Sequence, residues 1–449
     1  MAPRSDHRLD HSLTRDLQRI ALEAQNSSRT PAFVAGVARE GELVWTTAIG
    51  SASLADPSVQ LDENTQFLVA SNTKTFTAVM VLQLRDEGKL DLDDPIERHL
   101  PGVSHGSVTV RQLLIHGSGM QREPVGDVWD TLVFPDREGL VDGWNEAERI
   151  GRPHHAWHYS NLGFALLGEL IARLDGRDWA ESLQARLLDP IGLRRSTLTL
   201  QPPHTAQYYL APFTDVPVSE PLLDKNATAA AGALCSTLGD MMRWHQFLLD
   251  PDESVLRKDT IAEMLTPQLM VDQSWTEGWG LGFQLSRIQG RTWFGHTGGL
   301  PGGITGFFSE TGSGLSAGVL MNATNALAPD ATAIALGSLV AERDPALPKP
   351  WVPGTSTPEG LTELTGRWFS EGIGFTFVIR EGGLQGRLDR AAPTAAWSTF
   401  EQVEPDVFRT TGGREKGERL VVHRDANGAV RQMNWATYKF TREPLAFGE

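Results

Sequence analysis

The chain has very little cysteine and a deficit of basic residues. Its 449 residues include one cysteine, Cys235, so an intrachain disulfide and a thiolate cage around a metal ion are both excluded. We interpret this cysteine as a small buried hydrophobe. Lysine and arginine number 40 against 56 aspartates and glutamates, a formal net charge of -16. A surface of this sign repels nucleic-acid phosphates and anionic membranes, so neither is an expected partner.

Long apolar runs are also missing. No stretch approaches the roughly 18 consecutive apolar residues of a membrane-spanning helix. The first residues, MAPRSDHR, lead into an amphipathic pattern of Leu13, Leu17, Ile20 and Ala24, which has helical spacing and lacks the apolar centre of an export signal. We therefore expect a cytoplasmic protein. This expectation counts against cell-wall and antibiotic-resistance roles, because those enzymes work outside the cytoplasm.

A change in composition divides the chain. Residues 344–358 hold five prolines, a density that cannot continue a helix or a central strand. We predict a catalytic domain over residues 1–343, a linker over residues 344–358 and a small second domain over residues 359–449.

Hydrophobic periodicity predicts the fold of both domains. In the first domain, two apolar runs at residues 33–38 and 43–49 form a predicted hairpin after an N-terminal helix. Helical spacing appears at residues 73–87, 162–174, 179–188 and 238–248, and strand-like runs appear at residues 281–285, 292–294, 306–308 and 315–322. Helices in the middle with strands at both ends predict an α/β (α+β) fold, in which helices flank an antiparallel sheet. After residue 358, alternating apolar residues and turn signals such as Asn427-Gly428 predict a small antiparallel β-barrel.

The main chemical signal is the phrase FLVASNTK at residues 67–74, in which a strand-like approach ends at a serine that opens a helix. Residues three apart share a helix face, so Lys74 points its amine back at the Ser71 hydroxyl. A lysine in a partly desolvated pocket beside other cations has a lowered pKa and can act as a base toward a serine. The alternative for an isolated Ser-x-x-Lys is a helix N-cap followed by a surface lysine.

Two further phrases follow in order. HYSN at residues 158–161 leads into a helical pattern, and GHTGG at residues 295–299 follows a strand-like run. The resulting order of Ser-x-x-Lys, Tyr-x-Asn and His-Thr-Gly resembles the class C β-lactamase and penicillin-binding protein superfamily. The resemblance covers residues 30–340. It implies a β-lactamase/transpeptidase-like fold with an all-helical subdomain, and the second domain resembles the lipocalin-like barrel appended to some members.

The resemblance also implies acyl transfer through a covalent intermediate. Ser71 attacks the substrate carbonyl. Tyr159, as a phenolate or as a relay hydrogen-bonded to Lys74, takes the serine proton and returns it to the leaving group. The phenolate role requires the pKa of Tyr159 to fall well below ~10, a shift expected from a cationic Lys74. The oxyanion hole maps onto the backbone amides of Ser71 and Gly299, and Asn161 is expected to hold Lys74 or a substrate amide. No cofactor is implied.

The third phrase departs from the lysine that many members of the family carry. His296 stands where that lysine grips a substrate carboxylate, and histidine with a reference pKa of ~6.5 is mostly neutral at pH 7. We therefore predict that His296, Thr297 and Gly298 position a neutral substrate, a small molecule or a peptide. Gly298 and Gly299 are expected to let the substrate approach the strand edge closely. The histidine form resembles the family's esterases, D-amino-acid peptidases and amidases.

Other candidate sites are weaker. Ser316 lies in a Gly-x-Ser-x-Gly phrase, but its context is a continuous strand pattern rather than a strand, sharp turn and helix. His154, His155 and His158 cluster before the second phrase without an acidic third ligand, so we interpret them as a loop bordering the active site. Four tryptophans could either line a substrate cleft or fill the core, and we favour the core for each of them: Trp129, Trp157, Trp275 and Trp279.

The sequence therefore predicts a serine hydrolase that acts on esters or amides. A thioesterase that cyclises nonribosomal peptides would use the same residues with an amine as acceptor, and a β-lactamase or D-Ala carboxypeptidase ranks third. The protein could instead be a binding protein without catalytic activity. The intact set of Ser71, Lys74 and Tyr159 counts against this alternative. The acyl group, the leaving group and the oligomeric state stay open.

Overall fold

The computed structural model describes residues 9–347, 350–354 and 356–446. Parts of the predicted domains and linker, at residues 1–8, 348–349, 355 and 447–449, lie outside the described residues. The chain separates into two compact units that part between Ala346 and Leu347. Among the described residues, none of the helices combines the length and apolar character needed to cross a bilayer.

The first unit is an antiparallel sheet with helices on both faces. Its helices are α1 (His11–Ser28), α2 (Thr73–Asp86), α3 (Val110–Leu114), α4 (Val128–Thr131), α5 (Arg137–Glu146), α6 (Asn161–Asp175), α7 (Trp179–Leu183), α8 (Asp189–Ile191), α9 (Leu238–Leu249), α10 (Lys258–Met264) and α11 (Pro329–Arg343). Three short 3-10 helices cover Ala70–Asn72, Ile96–Arg98 and Asn226–Ala231, and a π-helical turn covers Gln184–Leu188.

The strands of this unit build one large sheet and two small ribbons. They are β1 (Ala32–Arg39), β2 (Glu42–Gly50), β3 (Phe67–Leu68), β4 (Tyr208–Tyr209), β5 (Val218–Ser219), β6 (Cys235–Ser236), β7 (Leu269–Met270), β8 (Glu277–Trp279), β9 (Gln284–Ile288), β10 (Arg291–Leu300), β11 (Gly303–Glu310) and β12 (Leu315–Met321). The large sheet has the order β2-β1-β12-β11-β10-β9-β8-β7, and each neighbouring pair is antiparallel. The predicted fold class is confirmed.

Strand β1 shows why this sheet is covered on both faces. Its residues are nearly all buried. Val34 and Ala38 face the core shared with the helical middle of the chain, whereas Phe33 and Val37 face a second core with α1 and α11. A strand buried on both faces is continuously apolar, which is the pattern that the sequence has here.

Helix α2 runs through the larger core. Every residue from Thr73 to Leu84 is buried, because the helix contacts α6, α7 and the short 3-10 helix at Asn226–Ala231. Helix α6 is buried in the same way and begins at the N-cap Ser160, whose hydroxyl accepts from the Gly163 amide. These two helices bring the first and second sequence phrases together.

Two strand boundaries differ from the sequence prediction. Strand β9 begins at Gln284 rather than at residue 281, because Gly282 has a φ of +85° and turns the chain. Strand β10 continues through the third phrase to Leu300, well beyond the predicted 292–294. The glycines at 298 and 299 reduce strand propensity, so a pattern-based prediction ends the strand too early.

The second unit is an eight-stranded antiparallel meander. Its strands are β13 (Gly366–Ser370), β14 (Ile373–Arg380), β15 (Gly383–Leu388), β16 (Ser398–Glu404), β17 (Val407–Gly412), β18 (Arg419–Arg424), β19 (Val430–Trp435) and β20 (Tyr438–Phe440), and a 3-10 turn covers Thr362–Leu364. Phe369 and Thr441 exchange backbone hydrogen bonds of 2.8 and 2.9 Å, which joins the first strand to the end of the last. Buried Trp368, Phe377 and Phe440 fill the interior. The predicted barrel is confirmed.

Candidate active site

A sharp turn in the backbone sets the position of Ser71. Ala70 has a φ of +49°, a left-handed conformation that costs a non-glycine residue about 1–3 kcal/mol. Ser71 follows in a 3-10 turn that runs into α2. The turn is fixed by the Asn72 side chain, which donates to Thr305 Oγ1 at 2.9 Å, and by the Thr73 hydroxyl, which donates to the Ala70 carbonyl at 2.6 Å. Ser71 therefore lies at the N-terminal start of a buried helix.

Lys74 is completely buried beneath this serine. Its Nζ lies 3.1 Å from Ser71 Oγ, 2.7 Å from Asn161 Oδ1 and 2.6 Å from the Ala231 carbonyl. Burial holds the pKa of Lys74 well below its usual value; Lys225 and Arg122 lower it further, and Glu123 opposes them. A neutral amine donates to Asn161 and Ala231 and accepts from the Ser71 hydroxyl, which is the arrangement of a base.

Tyr159 lies beside both Ser71 and Lys74. The Ser71 side chain is close enough to its hydroxyl to lower the pKa of the phenol, and the Tyr159 ring centroid lies 4.9 Å from Lys74 Nζ. Burial raises the pKa of Tyr159, with smaller lowering effects from Ser71 and Arg122. The expected fall in this pKa below ~10 is therefore wrong, because desolvation outweighs the attraction of nearby cations. In the resting site Tyr159 is a neutral phenol that can relay a proton.

Asn161 links the lysine to charged residues that the sequence analysis missed. Its amide nitrogen donates to Glu123 Oε1 at 2.7 Å, which orients the carbonyl oxygen toward Lys74. The backbone amide of Asn161 donates to the Arg122 carbonyl at 2.7 Å, and Arg122 Nε lies 3.5 Å from Glu123 Oε1. Arg122 and Glu123 lie two and three residues after the phrase QLLIHGSGM at residues 112–120, and this position was the available sequence signal. Lys225 had no motif near it.

His116, from the same phrase, supports the tyrosine. Its Nδ1 accepts from the Ser160 amide at 3.0 Å, and its ring centroid lies 4.2 Å from that of Tyr159. Burial lowers the pKa of His116 far below its usual value, and Lys74 adds to this effect. A neutral imidazole against Tyr159 fixes the orientation of the phenol without adding charge.

The third phrase lies on β10 beside the serine. Strand β9 pairs with β10 as far as Gly295, so in the described part of the chain the edge from His296 to Gly299 faces the cleft instead of another strand. Gly299 is exposed there. Its backbone amide and that of Ser71 are the donors that the resemblance assigns to an oxyanion hole.

His296 is buried, with 2% of its surface exposed. Its Nδ1 is bonded to the Thr297 carbonyl, so Nδ1 carries the proton and Nε2 is left as an acceptor. Burial and the nearby Lys74 lower the pKa of His296 to about 3. The residue is therefore neutral, as the sequence predicts, and offers no positive charge to a carboxylate.

Gly298 packs inward, which corrects the expectation that it faces the substrate. A Cβ at this position would lie 2.2 Å from the Val69 carbonyl, whereas a Cβ on Gly299 would meet nothing closer than Ile304 Cδ1 at 3.5 Å. The Val69 carbonyl cannot easily retreat, because it accepts hydrogen bonds from Asn72. Gly298 thus allows β10 to approach the turn that carries Ser71.

We expect Gly298→Ala to destabilise the protein by about 1–3 kcal/mol, the usual effect of overpacking a core, and to lower its activity through displacement of Ser71. Gly299→Ala is the matched control, and we expect it to fold with nearly native stability. Thermal denaturation followed by circular dichroism measures both. A Gly298→Ala protein as stable as the wild type would contradict this packing role.

A cleft of about 700 Å³ opens in front of Ser71. Trp129, Trp157 and Trp279 line it, so for these three the less favoured of the two interpretations, cleft lining, applies. Trp129 is 41% exposed, and Trp279 is 4% exposed and lies edge-on to His296. Trp275 is exposed rather than core. The cleft is thus lined by aromatic rings as well as by the charged residues Arg122 and Glu123.

The weaker candidates lie away from this chemistry. Ser316 is buried in β12 and bonded to Ser309 at 2.8 Å, as its strand pattern predicts. His154 and His155 are exposed in the loop before Tyr159, and the described residues contain no cluster of three His, Cys, Asp or Glu side chains suited to a metal. Cys235 is buried, which raises the pKa of its thiol to about 12.

Comparison with known proteins places the chain in a family. The Beta-lactamase family model matches residues 17–342, and a model for a domain of unknown function, DUF7586, matches residues 357–442. The chain is 28% identical to Beta-lactamase-like protein 2 of Dictyostelium discoideum over 56% of its own length and 48% of the relative's. It is 33% identical to Esterase EstB of Burkholderia gladioli over 41% of its own length and 51% of the relative's. The chain spans about half the length of these curated relatives.

A solved structure agrees with the family match. The D-stereospecific amidohydrolase from a Streptomyces species superposes with a TM-score of 0.62 at 27% identity. The superposition covers 76% of this chain and all of the other. The family model matches well over half of the chain and spans all three phrases. The chain therefore belongs to the beta-lactamase family of serine hydrolases.

Proposed function

We propose that the protein hydrolyses esters or amides of small molecules or peptides through an acyl-enzyme on Ser71. The observation that carries this proposal is the contact of the Ser71 hydroxyl with two proton-handling groups. The fully buried Lys74 amine lies 3.1 Å away, and the phenol of Tyr159 is close enough for the Ser71 side chain to lower its pKa. A serine held between a desolvated lysine and a tyrosine is an activated nucleophile.

The reaction follows from these contacts. As Ser71 Oγ bonds to the substrate carbonyl carbon, its proton passes to the neutral Lys74 amine, and the carbonyl oxygen becomes an oxyanion near the Ser71 and Gly299 amides. The bond to the leaving group then breaks, and the leaving group takes up the proton through Tyr159. Water repeats the sequence on the acyl-enzyme, which releases the acid and restores Ser71.

Electrostatics at β10 favour a neutral leaving-group portion. The neutral His296 has a buried acceptor, Nε2, without a hydrogen-bond partner among the described residues, and an acceptor suits an N–H or O–H of the substrate rather than a carboxylate. Similarity to an esterase and to an amidohydrolase supports the same substrate class.

Labelling by a fluorophosphonate probe, followed by a substrate panel, tests the proposal. We expect one label on Ser71 and turnover of p-nitrophenyl acetate or of a D-amino-acid p-nitroanilide, with benzylpenicillin a poor substrate. Added amine acceptors would reveal aminolysis, the reaction of a cyclising thioesterase. Labelling without any turnover of esters or amides would count against the proposal, and so would penicillin hydrolysis at kcat/KM near ~10⁶ M⁻¹s⁻¹, within the usual enzyme range.

Substituting His296→Lys tests the charge argument. A lysine adds a cation beside the oxyanion strand, so we expect kcat/KM for benzylpenicillin to rise about tenfold or more relative to that for p-nitrophenyl acetate, the effect of one charged hydrogen bond. The ratio of the two kinetic constants is the measurement, with His296→Gln as the neutral control. If the histidine were already a carboxylate anchor, the glutamine variant would lose penicillin binding and the lysine variant would gain nothing.

A further inference from the structure

The following inference rests on the proposed function. The cleft divides at Ser71 into two lobes. We define the leaving-group lobe by Tyr159, Trp279 and His296, and the acyl lobe by Phe134, Lys225, Thr228 and Gly232. Ser71 and Gly299 line both lobes. Because Tyr159 delivers the proton to the leaving group, the leaving group occupies the lobe that contains Tyr159. The acyl group must then extend into the other lobe.

Lys225 is the cation of the acyl lobe. Its side chain is enclosed by aromatic rings, with Nζ 3.4 Å from the centroid of Phe134 and 4.9 Å from that of Trp129, and the residue is only 9% exposed. Its carbonyl accepts from the amide and hydroxyl of Thr228 at 2.8 and 2.6 Å, which fixes the backbone. The amine is therefore held in place at the wall of the lobe.

This amine has no anionic partner among residues 9–347, 350–354 and 356–446: no carboxylate oxygen lies within 4.0 Å of it. Glu123, which lines the same lobe, is engaged by Asn161 at 2.7 Å and lies 3.5 Å from Arg122 Nε. Ring faces attract an ammonium group but accept no ordinary hydrogen bond from it. A buried charge normally has a counter-charge and hydrogen-bond acceptors. Glu123 supplies a counter-charge from a distance but no contact within 4.0 Å, so the substrate is the natural source of the missing hydrogen-bond acceptor.

The lobe is also narrow. The space that Lys225 shares with Ser71 is about 20 Å³, room for roughly one water-sized group, and Lys225 and Leu300 also line a larger cavity of about 790 Å³. Burial lowers the pKa of Lys225 to about 8, which leaves the amine mainly charged at neutral pH.

We propose that Lys225 binds an anionic group of the acyl portion, so that the preferred substrates are esters or amides of acids whose acyl chain carries a second carboxylate. The carboxylate enters the acyl lobe and accepts a charge-assisted hydrogen bond from Nζ. The neutral His296 cannot bind a carboxylate by charge in the leaving-group lobe. Lys225 therefore recognises a carboxylate on the acyl side of the scissile bond.

Paired substrates test this subsite. The half-ester mono-p-nitrophenyl glutarate carries the second carboxylate, and p-nitrophenyl pentanoate is its neutral counterpart of equal length. Each rate is corrected for enzyme-free hydrolysis, because the half-ester cleaves itself. We expect the wild type to favour the glutarate ester through a lower KM. Lys225→Met should reduce the ratio of kcat/KM values, glutarate over pentanoate, by at least about tenfold, as for the loss of one charged hydrogen bond.

Two variants and one inhibitor serve as controls. Lys225→Arg should restore most of the ratio, and Arg122→Gln, which removes a cation from the other lobe, should change it less than Lys225→Met does. Free glutarate should inhibit the wild type at lower concentrations than pentanoate, a measurement that needs no variant.

The failures are distinguishable. Equal losses on both esters in a folded Lys225→Met protein would show a structural role and overturn the subsite. Turnover of pentanoate with no preference for glutarate in the wild type, and equal inhibition by the two acids, would overturn the subsite and leave the proposed function intact. Absence of ester turnover and of Ser71 labelling would overturn both.

Discussion

Replacing Ser71 by alanine is expected to lower kcat/KM for p-nitrophenyl acetate by at least ~10⁴-fold and to abolish fluorophosphonate labelling, because loss of a serine nucleophile leaves only substrate positioning and oxyanion stabilisation. The alanine lacks the oxygen that contacts Lys74 and Tyr159. No cavity of consequence is created, since Ser71 is partly exposed to the cleft. The variant should therefore fold normally, which circular dichroism checks.

Ser316→Ala is the matched control for this prediction. Ser316 also sits in a hydrolase-like phrase, but it is buried within β12 and bonded to Ser309. We expect the Ser316→Ala protein to take up the label and to retain activity within a few-fold. Normal turnover in Ser71→Ala, or a folded but unlabelled Ser316→Ala, would move the nucleophile away from Ser71.

The parts of this site that could be predicted are those set by local geometry. Ser71 and Lys74 are one helical turn apart, so their contact follows from the helix alone. The two-sided burial of β1 and the meander of the second unit follow from strand periodicity. The meeting of Lys74 with Asn161 across two helices came only from the resemblance, because no local rule pairs residues so far apart in the chain.

What could not be predicted depends on tertiary burial. The direction of the Tyr159 pKa shift is a balance between desolvation and nearby charges, and desolvation cannot be known before the packing is known. Glu123 and Lys225 enter the site from loop segments without periodicity. The inward packing of Gly298 likewise depends on the position of the Val69 carbonyl, which belongs to another segment.

The domain boundaries stay a prediction. Asp344 is paired with Arg39 at 2.8 Å, and the first compact unit reaches Ala346, so three residues of the predicted linker pack with that unit. We propose that the remaining proline-rich residues separate two independently folding domains.

The second large effect is expected at Lys74. Lys74→Met keeps the length and burial of the side chain but removes the base, so we expect kcat/KM to fall by about 10²–10⁴-fold, the usual contribution of general base catalysis. Tyr159→Phe should also lose at least ~10²-fold, because the relay to the leaving group is broken. Steady-state kinetics on p-nitrophenyl acetate measure both variants. Near-normal kcat in Tyr159→Phe would indicate that Lys74 alone moves the proton.

The pH profile distinguishes Lys74 from Tyr159 as the group that must lose a proton. The active form of Lys74 is the neutral amine, so kcat/KM rises with pH through the pKa of Lys74, which burial places well below the ordinary lysine value. A phenolate base would instead place this rise above ~10, the ordinary tyrosine value, because burial raises the pKa of Tyr159. Glu123 stabilises the charged form of Lys74, so Glu123→Gln should lower that pKa and move the rise to lower pH. A rise that stays above the ordinary tyrosine pKa in the wild type would assign the base to Tyr159, because burial places the pKa of Tyr159 above that of Lys74.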